Sequence, residues 1–227
     1  MLDIKNLDCV YPGSDKEVLS INDLSINRGK MTFLVGESGI GKSTLLETLG
    51  VMNNTVKEPK NSTVFDFYPN ENQKFNMISF WKKENQKEIN VLRNKYLSFV
   101  FQNNNLMDNF SAIENVMLSC LIQGKDSNDS FSRAELAFEK LDISEYMHES
   151  TKQLSGGQKQ RVSFARAFAK DFIVLLGDEP TGNLDPINAE NLLLQLKDKI
   201  KDTNDISAGA VIVSHDIENT IKFADEI

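Results

Sequence analysis

One short segment limits what this chain can fold into: Gly36-Glu-Ser-Gly-Ile-Gly-Lys42-Ser43. It fits the pattern G-x-x-x-x-G-K-[ST]. An apolar run over residues 31–35 precedes it and a helical pattern over 41–49 follows, which is the context such a loop needs. Glycines let successive backbone N–H groups turn inward onto phosphate oxygens, and the positive end of the following helix adds to the attraction. In such a loop Lys42 reaches the β- and γ-phosphates and the Ser43 hydroxyl ligates Mg2+. Gly36, Glu37, Ser38, Gly39, Gly41, Lys42, Ser43 and Thr44 are therefore candidate nucleotide contacts. Alone, the motif specifies a nucleotide and a strand–loop–helix unit, and nothing about what is done with either.

The rest of the pattern extends that unit. Residues 2–11 and 18–27 read as short strands separated by Pro12-Gly13-Ser14. Residues 55–86 are rich in Asn, Lys and Glu with weak periodicity, and read as an irregular excursion. Strand character returns over 96–101. Apolar spacing near 3.6 predicts helices over 111–123, 132–141 and 157–170. A buried strand over 172–176, a helix over 186–200 opened by Pro186, a strand over 210–214 and a helix over 216–224 complete the chain. Strands alternating with helices predict an α/β fold, with a mainly parallel sheet covered on both faces. There are no internal repeats.

Composition removes several classes. A chain of 227 residues suffices for one large domain, or one with a small subdomain. Its 40% hydrophobic and 26% charged residues exclude disordered, collagen-like and coiled-coil chains. No run approaches the ~18 apolar residues needed to cross a bilayer. The start, Met1-Leu-Asp-Ile-Lys, lacks a basic head followed by an apolar stretch and does not read as a secretory signal. Work at a membrane would then require a partner. Cys9 and Cys120 stand in unrelated contexts, without disulfide or zinc spacing, and read as reduced thiols of a cytosolic protein. A net charge of −8 argues against a large nucleic-acid interface, which rests on many Lys and Arg contacts.

A second segment discriminates among P-loop proteins: Leu154-Ser155-Gly156-Gly157-Gln158, followed by Lys159-Gln160-Arg161. It opens a helix and so forms a second anion-binding N-terminus. Both ends cannot wrap one triphosphate from the same side unless a second copy supplies one of them. Here the chain resembles the ABC ATPase family, whose defining sequence is LSGGQ.

The resemblance runs along nearly the whole chain. It implies an α/β P-loop NTPase core, with an antiparallel or irregular β subdomain at about 1–30 and 53–95 and a helical subdomain at about 103–153, all in one nucleotide-binding domain over 1–227. Residues 173–179 look like the family's second nucleotide motif, an apolar strand ending in Asp178 and Glu179. By resemblance, Asp178 holds Mg2+ through water, and Glu179 orients and deprotonates the attacking water. Gln102 resembles the glutamine that touches the metal and senses a membrane partner. Asn183-Leu184-Asp185 matches the loop that crosses the dimer interface, His215 the histidine on the γ-phosphate, and Tyr11 the aromatic under adenine. Ser155, Gly156, Gly157 and Gln158 would meet the γ-phosphate of the opposite copy. His148 lacks such context and reads as solvated. Implied partners are a second copy in a head-to-tail, ATP-dependent dimer and a separate integral membrane subunit. ATP and Mg2+ are the implied ligands, and the place is the cytoplasmic face of the cell membrane.

Residues 178–185, with Phe99-Val-Phe-Gln102 and Glu114-Asn-Val116, look like the bacterial branch of lipoprotein-releasing, macrolide-exporting and cell-division ATPases. Two departures stand out. Lys42 and Gln102 are 102 − 42 = 60 positions apart, a long interval for that branch, and the excess within 53–86 is poor in glycine. The chain also ends at Ile227, where the family usually continues into another strand, so the tail is either cropped or short. The alternative is a soluble ABC ATPase acting on nucleic acid or other macromolecules; nucleic-acid members of the family usually carry a coiled coil or zinc modules, which this sequence lacks. In a GTPase reading of Asn94-Lys95, Leu97 occupies the place of a required Asp.

Overall fold

The runs Val174-Leu-Leu-Gly-Asp178 and Gly209-Ala-Val-Ile-Val213 have no polar face, so strands made from them need cover on both sides. In the computed structural model, which describes residues 1–14, 16–57, 59–83, 86–201 and 208–227, they receive it. The elements begin with β1 (Leu2–Val10), β2 (Glu17–Ile26), β3 (Met31–Leu34) and α1 (Lys42–Leu49). Then come β4 (Val64–Asn70), β5 (Gln73–Asn76), α2 (Met77–Lys83), α3 (Gln86–Tyr96) and β6 (Leu97–Val100). The second half holds α4 (Ala112–Ile122), α5 (Ser127–Lys140), α6 (Gly156–Ala169), β7 (Val174–Asp178), α7 (Pro186–Lys201), β8 (Gly209–Val213) and α8 (Ile217–Phe223).

Strands β3, β8, β7 and β6 form a wholly parallel sheet in that order, and β2, β1, β4 and β5 form an antiparallel one. Side chains alternate across a strand, and the parallel sheet uses this to face two cores. Met31, Phe33, Val100, Leu175, Ala210 and Ile212 point toward helices α4 to α8. Leu97, Val174, Leu176, Val211 and Val213 point the other way, toward α1, α2, α3 and the inner face of the antiparallel sheet. Helix α1 lies between the sheets, against β7 and β8 on one side and β2 on the other.

The stretch read as irregular is largely ordered. Residues 58 and 84–85 lie outside the described residues; around them, 64–76 form a hairpin and 77–83 and 86–96 form helices. Pairing with β1 makes the hairpin a strand pair: Leu2 opposes Phe67 and Ile4 opposes Phe65, and all four side chains are buried. The missing glycine is replaced by an Asx turn, with Asn70 Oδ1 accepting from the Asn72 N–H at 3.0 Å. Tyr96 belongs to α3 and not to the following strand. Helix α5 starts five residues before the expected 132, because the Asp126 carboxylate caps the Asn128 and Asp129 N–H groups. The last residues run beside β3, where Thr32 bridges Glu226 in parallel and the Phe33 N–H reaches the Glu226 carbonyl at 2.9 Å. Cys9 and Cys120 are buried free thiols, and His148 is exposed. Among the described residues no helix is long and apolar enough to cross a membrane.

Leu175 lies on one of the two inner strands of the parallel sheet with no exposed surface. Leu175→Ala should lower the free energy of urea unfolding by about 2–5 kcal/mol. Val91→Ala, at a side chain 62% exposed, should change it by less than ~0.5 kcal/mol.

Candidate functional site

Strand β3 delivers the chain into the loop that opens α1. Gly36, Gly39 and Gly41 take φ values of 142°, 84° and 101°, a region that disfavours side chains. Around Gly39 the space is open, and only at Gly41 does fixed backbone crowd the position. A Cβ on Gly36 would stand 2.5 Å from the Ile40 side chain, and one on Gly41 3.2 Å from the Val18 carbonyl oxygen. The loop closes around Lys42, whose Nζ donates to the carbonyls of Gly36 and Glu37, both at 2.7 Å. Helices α4, α5, α6 and α8 are capped by Ser111, Asp126, Ser155 and Asp216, whereas α1 starts at Gly41 with no side-chain cap. Its first N–H groups and the ammonium together make an uncompensated positive end of the kind that takes phosphate.

A cavity of about 300 Å3 opens over this loop. Ser38, Gly39, Gly41, Lys42, Ser43 and Thr44 line it from the loop and α1, Gln102 from beyond β6, and Glu179 and His215 from beyond β7 and β8. Parallel pairing explains the meeting. Val100 opposes Gly177 and Asp178 opposes Val213, so residues just past three strand ends are neighbours. Glu179 adopts φ 49°, unusual for a side-chain-bearing residue, and its N–H donates to the Val213 carbonyl at 3.0 Å. His215 Nε2 stands 3.1 Å from Glu179 Oε1. The cavity thus offers a cation, a hydroxyl, an amide and a carboxylate–imidazole pair around one space. Val18 and Val213 also line it; both are apolar strand residues that no motif marks.

Other expected residues lie outside this wall. Asp178 ends β7, half-buried, and its carboxylate has no hydrogen bond or ion pair among the described residues. The Tyr11 hydroxyl sits 3.0 Å from Thr44 Oγ1 and donates to Glu47 Oε2 at 3.2 Å, which anchors the ring to α1 beside the loop. Asp185 caps α7, accepting from the Asn188 N–H at 3.1 Å and from its side-chain amide at 2.6 Å. These hydrogen bonds hold its carboxyl below the usual range. Ser155 and Gln158 form a capping box at the start of α6, with the Ser155 N–H donating to Gln158 Oε1 at 2.7 Å. Gly157 packs beneath Asn183, whose carbonyl would lie 3.1 Å from any Cβ there. Neither the four signature residues nor Asp185 lines the cavity.

Residues 19–182 match the family described as ABC transporter. The chain belongs to that family. The cassette is 37% identical over 213 residues to the lipoprotein-releasing system ATP-binding protein LolD of Bacteroides thetaiotaomicron, covering 92% of this chain and 88% of that protein. It is 34% identical over 202 residues to LolD of Aquifex aeolicus, covering 89% and 82%. Its fold superimposes on the dimeric bacterial ABC transporter cassette MJ0796 with a TM-score of 0.81 and 28% identity, over 99% of this chain and 92% of that one. The same cassette in a dimeric post-hydrolysis state bound to ADP and Pi aligns equally well. The protein is an ABC-type ATP hydrolase that binds nucleotide.

Removing the ammonium leaves the Gly36 and Glu37 carbonyls without its hydrogen bonds and takes a cation from the cavity wall. Lys42→Ala should weaken ATP binding at least ~10-fold by fluorescent-nucleotide titration and abolish turnover.

Proposed function

We propose that the cassette hydrolyses ATP at two composite sites in a head-to-tail dimer of itself and thereby moves a separate integral membrane subunit. One observation carries this reading. The cavity is lined by the lysine loop and the Glu179–His215 pair, while the second anion-binding turn, Ser155–Gln158, is not part of its lining on the same chain. A second copy can bring that turn over the first copy's cavity. The dimeric form of the similar cassette MJ0796 supports this arrangement.

In this reading Gly36–Thr44 cradle the phosphates, Tyr11 stacks on the adenine, and Asp185 lies at the edge shared by the two copies. Ser43, Gln102 and Asp178 would hold Mg2+. A hydroxyl, an amide oxygen and a carboxylate are the hard oxygen donors that such an ion takes, and Ser43 and Gln102 share one cavity wall. When bound, the ion neutralises charge on the phosphate oxygens. Glu179 accepts the proton of the attacking water. His215, fixed beside it between Ser214 and the Asp216 cap, orients that carboxylate and contacts the γ-phosphate. Ser155, Gly156, Gly157 and Gln158 of the opposite copy donate to the same phosphate. Closure is driven by the greater affinity of ATP for the closed pair, and loss of the γ-phosphate releases it.

Likeness to ATP-binding proteins of lipoprotein-releasing systems supports placing the cassette in a complex that transmits force, at the cytoplasmic face of the cell membrane and through its partner.

Glu179→Gln should retain ATP binding, lose at least ~100-fold in turnover and elute as an ATP-dependent dimer in size-exclusion chromatography. Hydrolysis at the parental rate would remove Glu179 as the base. For the parent protein, specific activity should rise with protein concentration across the dimerisation range; a flat profile from a strict monomer contradicts the composite site.

A further inference from the structure

Helix α6 buries an amide side chain little more than one turn after the Ser155 cap. Gln160 is fully buried, and its Nε2 donates to the Glu179 carbonyl at 3.3 Å and the Pro180 carbonyl at 3.0 Å. Two adjacent carbonyls can be met only by a donor, so the orientation of the amide is determined. Its Oε1 has no partner. Burying a polar atom unpaired is unfavourable; an apolar side chain at 160 would remove this orphan but leave the Pro180 carbonyl without its donor. What it supplies is a grip on the backbone turn that carries Glu179.

That turn is the strained point of the site. Glu179 is held at φ 49° by three backbone contacts: its N–H to Val213, and its carbonyl to the Gly182 N–H at 3.2 Å and to Gln160. Further along the same helix, Ser163 Oγ donates to the Asn104 carbonyl at 3.2 Å, and Arg166 donates to the Asn104 and Asn105 carbonyls at 2.8 and 2.6 Å. One rigid rod therefore carries the Ser155–Gln158 turn at its start, grips the Glu179 turn next, and holds the loop behind Gln102 last.

We propose that Gln160 is a positioning residue for hydrolysis. It locks the Glu179 backbone to α6, so that the carboxylate is aimed at the attacking water only while the helix bearing the signature turn is seated. Engagement of that turn by the nucleotide of the opposite copy is thereby transmitted to the base within the same chain. This rests on Glu179 being the base.

Gln160→Met keeps length and volume but removes the donor, and Gln160→Glu sets oxygens against the two carbonyls. Both are assayed in the full-length chain, well below the Tm of each variant. The maximal rate kcat should fall roughly 10- to 100-fold, while KM and ATP affinity stay within about twofold. Adding Gln160→Met to Glu179→Gln should cost no further residual turnover, because the residues act as a unit. A parental kcat with only a lowered Tm, or losses that multiply in the double variant, would overturn the proposal. Parental turnover by Glu179→Gln alone would instead overturn the base assignment, so the two failures are distinguishable.

Discussion

The site exists because four strands run the same way. In β3-β8-β7-β6 every C-terminal end falls on one edge, and each carries a different chemical piece: the glycine loop and Lys42, His215, the Asp178–Glu179 pair, and Gln102. Antiparallel pairing would have sent half of these to the far edge. Parallel strands need long crossovers, which is why the pieces lie so far apart in the chain. The helices that make the crossovers also cover the apolar faces that parallel strands leave on both sides, so one constraint explains both the core and the cavity.

Backbone accommodation at that edge is costly and local. The loop needs positive φ at Gly36, Gly39 and Gly41, where glycine adopts it readily. Glu179 has no such freedom, and the role of base proposed for it requires a carboxylate there. Its φ of 49° is therefore maintained from outside by Val213, Gly182 and Gln160, as backbone strain at reactive positions generally requires. The buried amide of Gln160, orphaned on one side, is the counterpart of that strain on the neighbouring helix.

Legibility in the sequence followed the range of the interactions. Helices α4, α6 and α7 were readable because their apolar spacing and their Ser111, Ser155 and Pro186 starts are local signals. The start of α5 was obscured by the polar run 127–130, which contributes little periodicity although Asp126 caps it. Residues 64–76 look irregular alone because β1, some sixty positions away, supplies their pairing. Among site residues, Lys42, Ser43, Gln102, Glu179 and His215 meet at one cavity. Tyr11 is engaged with α1 through a contact that no spacing announces, and Asp185 with α7 through a local cap at the i, i+3 spacing.

The sequence by itself determined the chemistry. A glycine-lysine loop, two carboxylates ending an apolar strand, and LSGGQ opening a helix are contiguous words whose physical meaning lies in their own backbone and side chains. Tertiary structure alone decided the geometry. It made Val18 and Val213 part of the cavity wall, left the signature residues out of that wall, and joined Gln160 to the backbone of Glu179 and Pro180. Those relations arise where segments distant in the chain are packed together, and the pairing of such segments, unlike apolar periodicity, leaves no imprint on the local order of residues.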